Sequence, residues 1–154
     1  MADVTVIGMR CRLPFNEMIE HFRGLGGDVI LMDPAYVCGR DHILSAVMHA
    51  ERAFANGTNR SKTLLTETIL YAAGERQISR ALEKMRPKNM TDGVAAAVFD
   101  VADLRLEMIG AVVDDDILTG TREKAENLGL DMPGNISAED LALEMVATVD
   151  IQKQ

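Results

Sequence analysis

The spacing of apolar residues divides the chain into strands and helices before any single side chain is considered. Val4, Val6 and Met9 around Ile7 predict a first strand over Asp3–Arg10. Pro14 then opens a helix to Leu25 with Phe15, Met18, Ile19 and Phe22 on one side, and Gly24-Leu-Gly-Gly27 ends it. A second strand follows at Asp28–Met32, and Asp33-Pro34 with Gly39 turns the chain into its middle. There the period changes to that of helices, three times in a row. Ile43, Leu44, Val47, Ala50 and Phe54 mark the first, Asp41–Asn56. Leu64, Leu65, Ile69 and Ala72 mark the second, Ser61–Gly74. Ile78, Leu82 and Met85 mark the third, Glu75–Met85. Asp41 and Ser61 suit the first-turn N–H groups of the first two, and Gly57 and Gly74 suit their left-handed ends.

Beyond the middle, Gly93–Asp100 is an apolar run of the kind that makes a buried strand. Asp100, with Asp103 at the capping-box position, predicts a short helix to Met108, and Ile109–Val113 a further strand. Thr121–Leu128 reads as a short helix stopped by Gly129. Ser137-Ala-Glu-Asp140 is a capping box that opens a helix through Ile151. The sum is an α/β protein: residues 1–154 form a single domain, a mixed or antiparallel sheet of about four strands flanked by about six helices. Regular strand–helix alternation is missing, which argues against a Rossmann-type sheet.

Composition adds limits. With 154 residues, 47% of them hydrophobic and 26% charged, the chain has ample material for one core and is not of the disordered class. No apolar run approaches the length of a membrane-spanning helix, and the N-terminus lacks the pattern of an export signal. Cys11 and Cys38 are then most simply free thiols, which places the protein in a reducing cytoplasm.

Charge changes the picture more. The chain is acidic, net −8, yet Arg40–Lys88 carries nine Lys/Arg against five Asp/Glu, net +4, while residues 89–154 carry a net −10. Arg76, Arg80 and Lys84 recur at i, i+4 and i+8, which runs them down one side of the third central helix, with Arg86 and Lys88 in its tail. Ile78, Leu82 and Met85 fall on another face. Arg60 and Lys62 stand at the start of the helix before. Guanidinium forks suit phosphates and can stack on unpaired bases, and Tyr36 and Tyr71 could add stacking surface. The plainer reading is a solvated helix face balanced by Glu75 and Glu83.

Catalytic chemistry finds little support. His42 and His49 lie about 10 Å apart along a helix, too far to hold one metal ion without a third element. Asp114-Asp-Asp116 could ligate Mg²⁺ but reads more simply as a solvated acidic turn, and Gly24–Gly27 closes a helix where a phosphate loop would open one. No nucleophile has a convincing base beside it. The residues assign no catalytic, metal or cofactor site.

A longer pattern is more specific. Asp33-Pro34-x2-Val37-x-Gly39-x2-His42-Ile-Leu-x-Ala46 precedes Ala50-x2-Ala53-Phe54, and then Ser61-x2-Leu64-x2-Glu67-x-Ile69-Leu70-Tyr71-x2-Gly74-x-Arg76-Gln77-Ile78-x2-Ala81. Over Leu31–Leu82 this resembles the small kinase-binding subunit of the KEOPS (EKC) complex, the PRPK-binding protein family, in its archaeal form. After Ala81 the family usually continues towards a glycine-bearing turn, which Met85-Arg-Pro-Lys-Asn89 replaces here. The resemblance implies a non-catalytic subunit in the formation of N6-threonylcarbamoyladenosine on tRNA. Such a subunit docks on the N-terminal lobe of an atypical kinase/ATPase, stimulates it, helps recruit tRNA through its single-stranded 3′ CCA end, and meets other KEOPS subunits indirectly. On that basis Leu70 and Ile78 are expected to dock the kinase, and Arg60, Lys62, Arg76 and Arg80 to contact tRNA. Glu67 is expected to pair with a neighbouring arginine and fix helix packing. The alternatives are a pure protein-binding module without RNA contact, or a small metal-dependent enzyme built on Asp114–Asp116.

Overall fold

A computed structural model describes residues 2–88 and 93–153. Four antiparallel strands, β1 (Val4–Arg10), β2 (Asp28–Met32), β3 (Val94–Phe99) and β4 (Val112–Val113), form one sheet in the order β2-β3-β1-β4. Period-two alternation gives the sheet two apolar faces. Ile7, Met9, Val29, Leu31, Val94 and Val98 meet Met18 and Phe22 of α1 (Phe15–Gly24). Val6, Ile30, Met32, Ala95, Ala97 and Phe99 turn to the opposite side, where the other helices pack. These are α2 (Arg40–Asn56), α3 (Leu64–Ala73), α4 (Ile78–Met85), α5 (Arg122–Asn127) and α6 (Ala138–Gln152). All six residues of β3 are buried, since it lies between two strands and under both layers. Its three alanines leave room for the backbones above and below to come close.

The architecture is the α/β domain expected, with every strand pairing antiparallel. The departures are local. Gly39, not Asp41, stands at the N-cap of α2, and Thr63, not Ser61, caps α3 by accepting a hydrogen bond from Thr66 N–H. Ser61 is buried instead, and gives its own N–H and hydroxyl to Glu67. Helix α4 begins at Ile78, so Arg76 precedes it and the expected run of Arg76, Arg80 and Lys84 down one helix face is broken at its first member. Asp100 caps no helix. It takes a left-handed φ of 61°, donates its N–H to the Asp3 carbonyl and accepts Asp3 N–H on its carboxylate, closing the β1–β3 ladder. A single 3₁₀ turn, Leu106–Ile109, replaces the helix predicted there, and β4 keeps two of the five residues expected of it. Asn89, the last residue of the tail after α4, lies outside the described residues.

Candidate functional site

The end of α3 and the start of α4 set the surface. Gly74, left-handed at φ 66°, stops α3, and Glu75–Gln77 carry the chain across to α4. This turn brings Arg76, Gln77, Ile78 and Ser79 opposite Arg60, and the five line an open concavity of about 510 Å³. No acidic residue lines it. Arg76 and Arg80 are exposed and hold no ion pair among the described residues. Ile78, half-buried, forms an apolar wall, and Leu82, one helical turn on, is 41% exposed, so the apolar stripe of α4 continues into solvent.

Arg80 faces a second concavity, about 340 Å³, with Tyr36, Glu75, Glu83, Lys84, Lys88 and Asn127. The basic strip is largely neutralised here. Lys84 pairs with Glu75 at 2.6 Å, and Lys88 pairs with Asp33 at 3.2 Å while its ammonium lies 4.7 Å above the Tyr36 ring. Lys62 is exposed in the bend before α3 and lines neither concavity. Of the four basic residues picked from sequence, the structure therefore unites Arg60 with Arg76 and leaves Arg80 and Lys62 apart. Leu70 corrects an expectation: it is fully buried in the core between α3 and its neighbours, so its side chain offers a partner no surface.

Behind the first concavity lies a buried polar chain that sequence reasoning missed. Glu67 is fully buried on α3. Its Oε1 accepts from Arg60 N–H (3.0 Å), Ser61 N–H (2.9 Å) and the Ser61 hydroxyl (2.8 Å), and its Oε2 accepts from the Lys153 ammonium (2.5 Å). The partner is thus a lysine at the far end of α6, not the neighbouring arginine expected. Lys153 Nζ also donates to the Tyr71 hydroxyl at 3.0 Å and sits 4.6 Å from the Tyr71 ring. Tyr71 donates to Asp150, whose other oxygen meets His49 Nδ1 at 3.1 Å. The Arg60 guanidinium closes the circuit on the Lys153 carbonyl. Burial pushes the Glu67 and Asp150 carboxyls up, but their hydrogen bonds and the Lys153 charge outweigh it and hold both below the usual range. Burial, reinforced by Asp150, pushes the Tyr71 hydroxyl up. One signal pointed here: Lys153 is the only Lys or Arg after Lys124.

The remaining candidates have structural partners. His42 is fully buried: its Nδ1 accepts Cys38 N–H at 3.0 Å and its Nε2 meets the Ala72 carbonyl at 2.8 Å. Asp114 pairs with Arg10 at 2.8 Å; Asp115 pairs with Arg40 at 2.9 Å and accepts Gly8 N–H at 3.1 Å. Asp115 and Asp116 are exposed, as expected of a solvated acidic turn, and the ion pairs tie that turn to the sheet. Cys11 and Cys38 are buried free thiols. Among the described residues, no helix is long and apolar enough to cross a membrane.

The family model described as kinase binding protein CGI-121 matches residues 18–132, from within α1 to beyond α5. The chain belongs to that family. The membership bears out the resemblance drawn over Leu31–Leu82, which lies wholly inside the match, and kinase binding is the role it brings. No curated protein matches the chain. Within the CGI-121 frame, Arg60, Lys62, Arg76, Ile78 and Arg80 all fall inside the matched span, whereas β1 and α6, with Asp150 and Lys153, fall outside it.

Proposed function

We propose that this CGI-121 protein is a non-catalytic subunit of a KEOPS-type complex that docks on the N-terminal lobe of the kinase/ATPase, stimulates it and helps recruit tRNA by its 3′ CCA end. The observation that carries the tRNA part is the meeting of Arg60 and Arg76 across one concavity with no carboxylate in its lining. Two forks on separate segments suit successive phosphates of a single strand, and the open wall leaves room for unstacked bases. Arg80 and Lys62 are exposed outside this concavity and are secondary candidates for RNA contact. Kinase docking falls to Ile78 with Leu82, the apolar edge of α4, because buried apolar anchors dominate such contacts.

The two surfaces meet at Ile78, so kinase and RNA would lie side by side on α4. Binding of intact tRNA and of tRNA lacking its CCA end, each at two salt concentrations, tests the reading. The expected outcome is affinity that falls with salt, as phosphate contacts release counterions, and that drops on loss of the CCA or in Arg76→Glu. Equal binding of both RNAs, or none, leaves a kinase-docking module without RNA contact.

A further inference from the structure

Arg60 belongs to the surface, but everything that holds it is buried. The loop before α3 has no helix or strand of its own at residues 58–63, so its backbone donors need partners from elsewhere. Glu67 supplies them, taking three hydrogen bonds from residues 60 and 61 on one oxygen. A fully buried carboxylate with only neutral donors would be costly to keep charged. Lys153, its side chain 5% exposed, provides the opposing charge at 2.5 Å. The same residue receives the Arg60 guanidinium on its carbonyl. Backbone and side chain of Arg60 are therefore both tied, by different groups, to the last turn of α6.

We propose that Glu67 and Lys153 are positioning residues for Arg60, and that the end of α6 and the Arg60 loop order or loosen as one unit. The Tyr71 hydroxyl, Asp150 and His49 anchor the turn that carries Lys153, so the unit reaches from α2 through α3 to α6. With the ion pair in place, Arg60 stands preset across from Arg76. With the end of α6 undocked, Glu67 loses its counter-charge and Arg60 its acceptor in the same step. Nothing in the loop itself restores either. The preset geometry matters to ligand binding on the RNA reading above, whereas the coupling is a property of the free protein.

Amide hydrogen exchange on the full chain without ligand tests it. In Lys153→Met, which keeps most of the aliphatic stem and removes the charge, the Arg60 and Ser61 amides are expected to exchange at least roughly tenfold faster. Those of Ile30 and Leu31 in β2 should keep their rates, Lys153→Arg should recover most of the protection, and Glu67→Gln should loosen the loop as Lys153→Met does. Unchanged exchange at Arg60 and Ser61 in Lys153→Met overturns the proposal, and so does equal acceleration in β2, which would mean a loss of global stability. If the loop loosens as expected while Arg60→Ala leaves RNA affinity untouched, the coupling stands and the RNA role of Arg60 falls.

Discussion

His42 has both ring nitrogens committed, and in opposite senses. Nδ1 must accept from Cys38 N–H, so Nε2 carries the proton and donates to the Ala72 carbonyl, which is the neutral imidazole. A second proton would face a backbone donor inside the core. Burial accordingly pushes the ring down to about 4. In the unfolded chain the ring titrates near 6.5, so between those values the unfolded state binds the extra proton and stability falls as pH falls. The contribution is fully present above pH ~6.5 and amounts to about 3 kcal/mol lost by pH ~4. Urea unfolding of the wild type at pH 7 and pH 5 should show this loss beginning. His42→Gln should be less stable at pH 7 but nearly flat across that window. The sequence offered His42 only as one of two histidines too far apart along a helix to hold one metal ion. Its acceptor lies thirty residues on, and no local spacing reports a carbonyl on another helix.

Helices were easier to see than their ends. The stripes of α2, α3 and α4 follow from three- and four-residue spacing, but an N-cap is decided by which oxygen is free to bend back. At Ser61 the hydroxyl is already drawn to Glu67, and so Thr63 takes the cap. The helix stop at Gly74 was legible because two requirements coincide there. Its φ of 66° is left-handed, and an added Cβ would stand 2.4 Å from the Met145 sulfur of α6. Gly74→Ala should therefore cost about 1–2 kcal/mol from the backbone alone, with the Met145 contact adding to it, as read by urea midpoint. The same turn aims Arg76, so the variant should also weaken RNA binding on the reading given above. The helix predicted after Asp100 failed for a related reason: its acidic residues fit a capping box, yet Asp100 is used to close the sheet.

For the molecule as a whole, the α/β class and a sheet of about four strands were readable because β3 is apolar throughout and the other strands alternate or run apolar, whereas partners distant in sequence were not. The kinase surface shows the difference. Leu70 and Ile78 fall in one segment of the family pattern, and that pattern alone ranks them alike. In the fold one is fully buried and the other stands at the rim of the arginine concavity. Leu70→Glu should abolish folding, since it drives an unpaired charge into the core. Ile78→Glu should still fold, with a lowered melting temperature since Ile78 packs partly against the core, and lose 1:1 binding to the kinase, measured by calorimetry; a variant that folds and still binds would move docking off α4. The Glu67–Lys153 pair has a further consequence for how the chain finds this arrangement. Helix α6 carries apolar residues on several faces, Leu141, Leu143 and Ile151 besides the buried Ala142, Met145, Val146 and Val149, so a shift by one turn would still present apolar residues to α2 and α3. It would not present an ammonium to Glu67, and would leave a bare carboxylate sealed beneath the misplaced helix. The pair thus favours one register of α6 over its neighbours, because only that register meets the buried carboxylate with a charge.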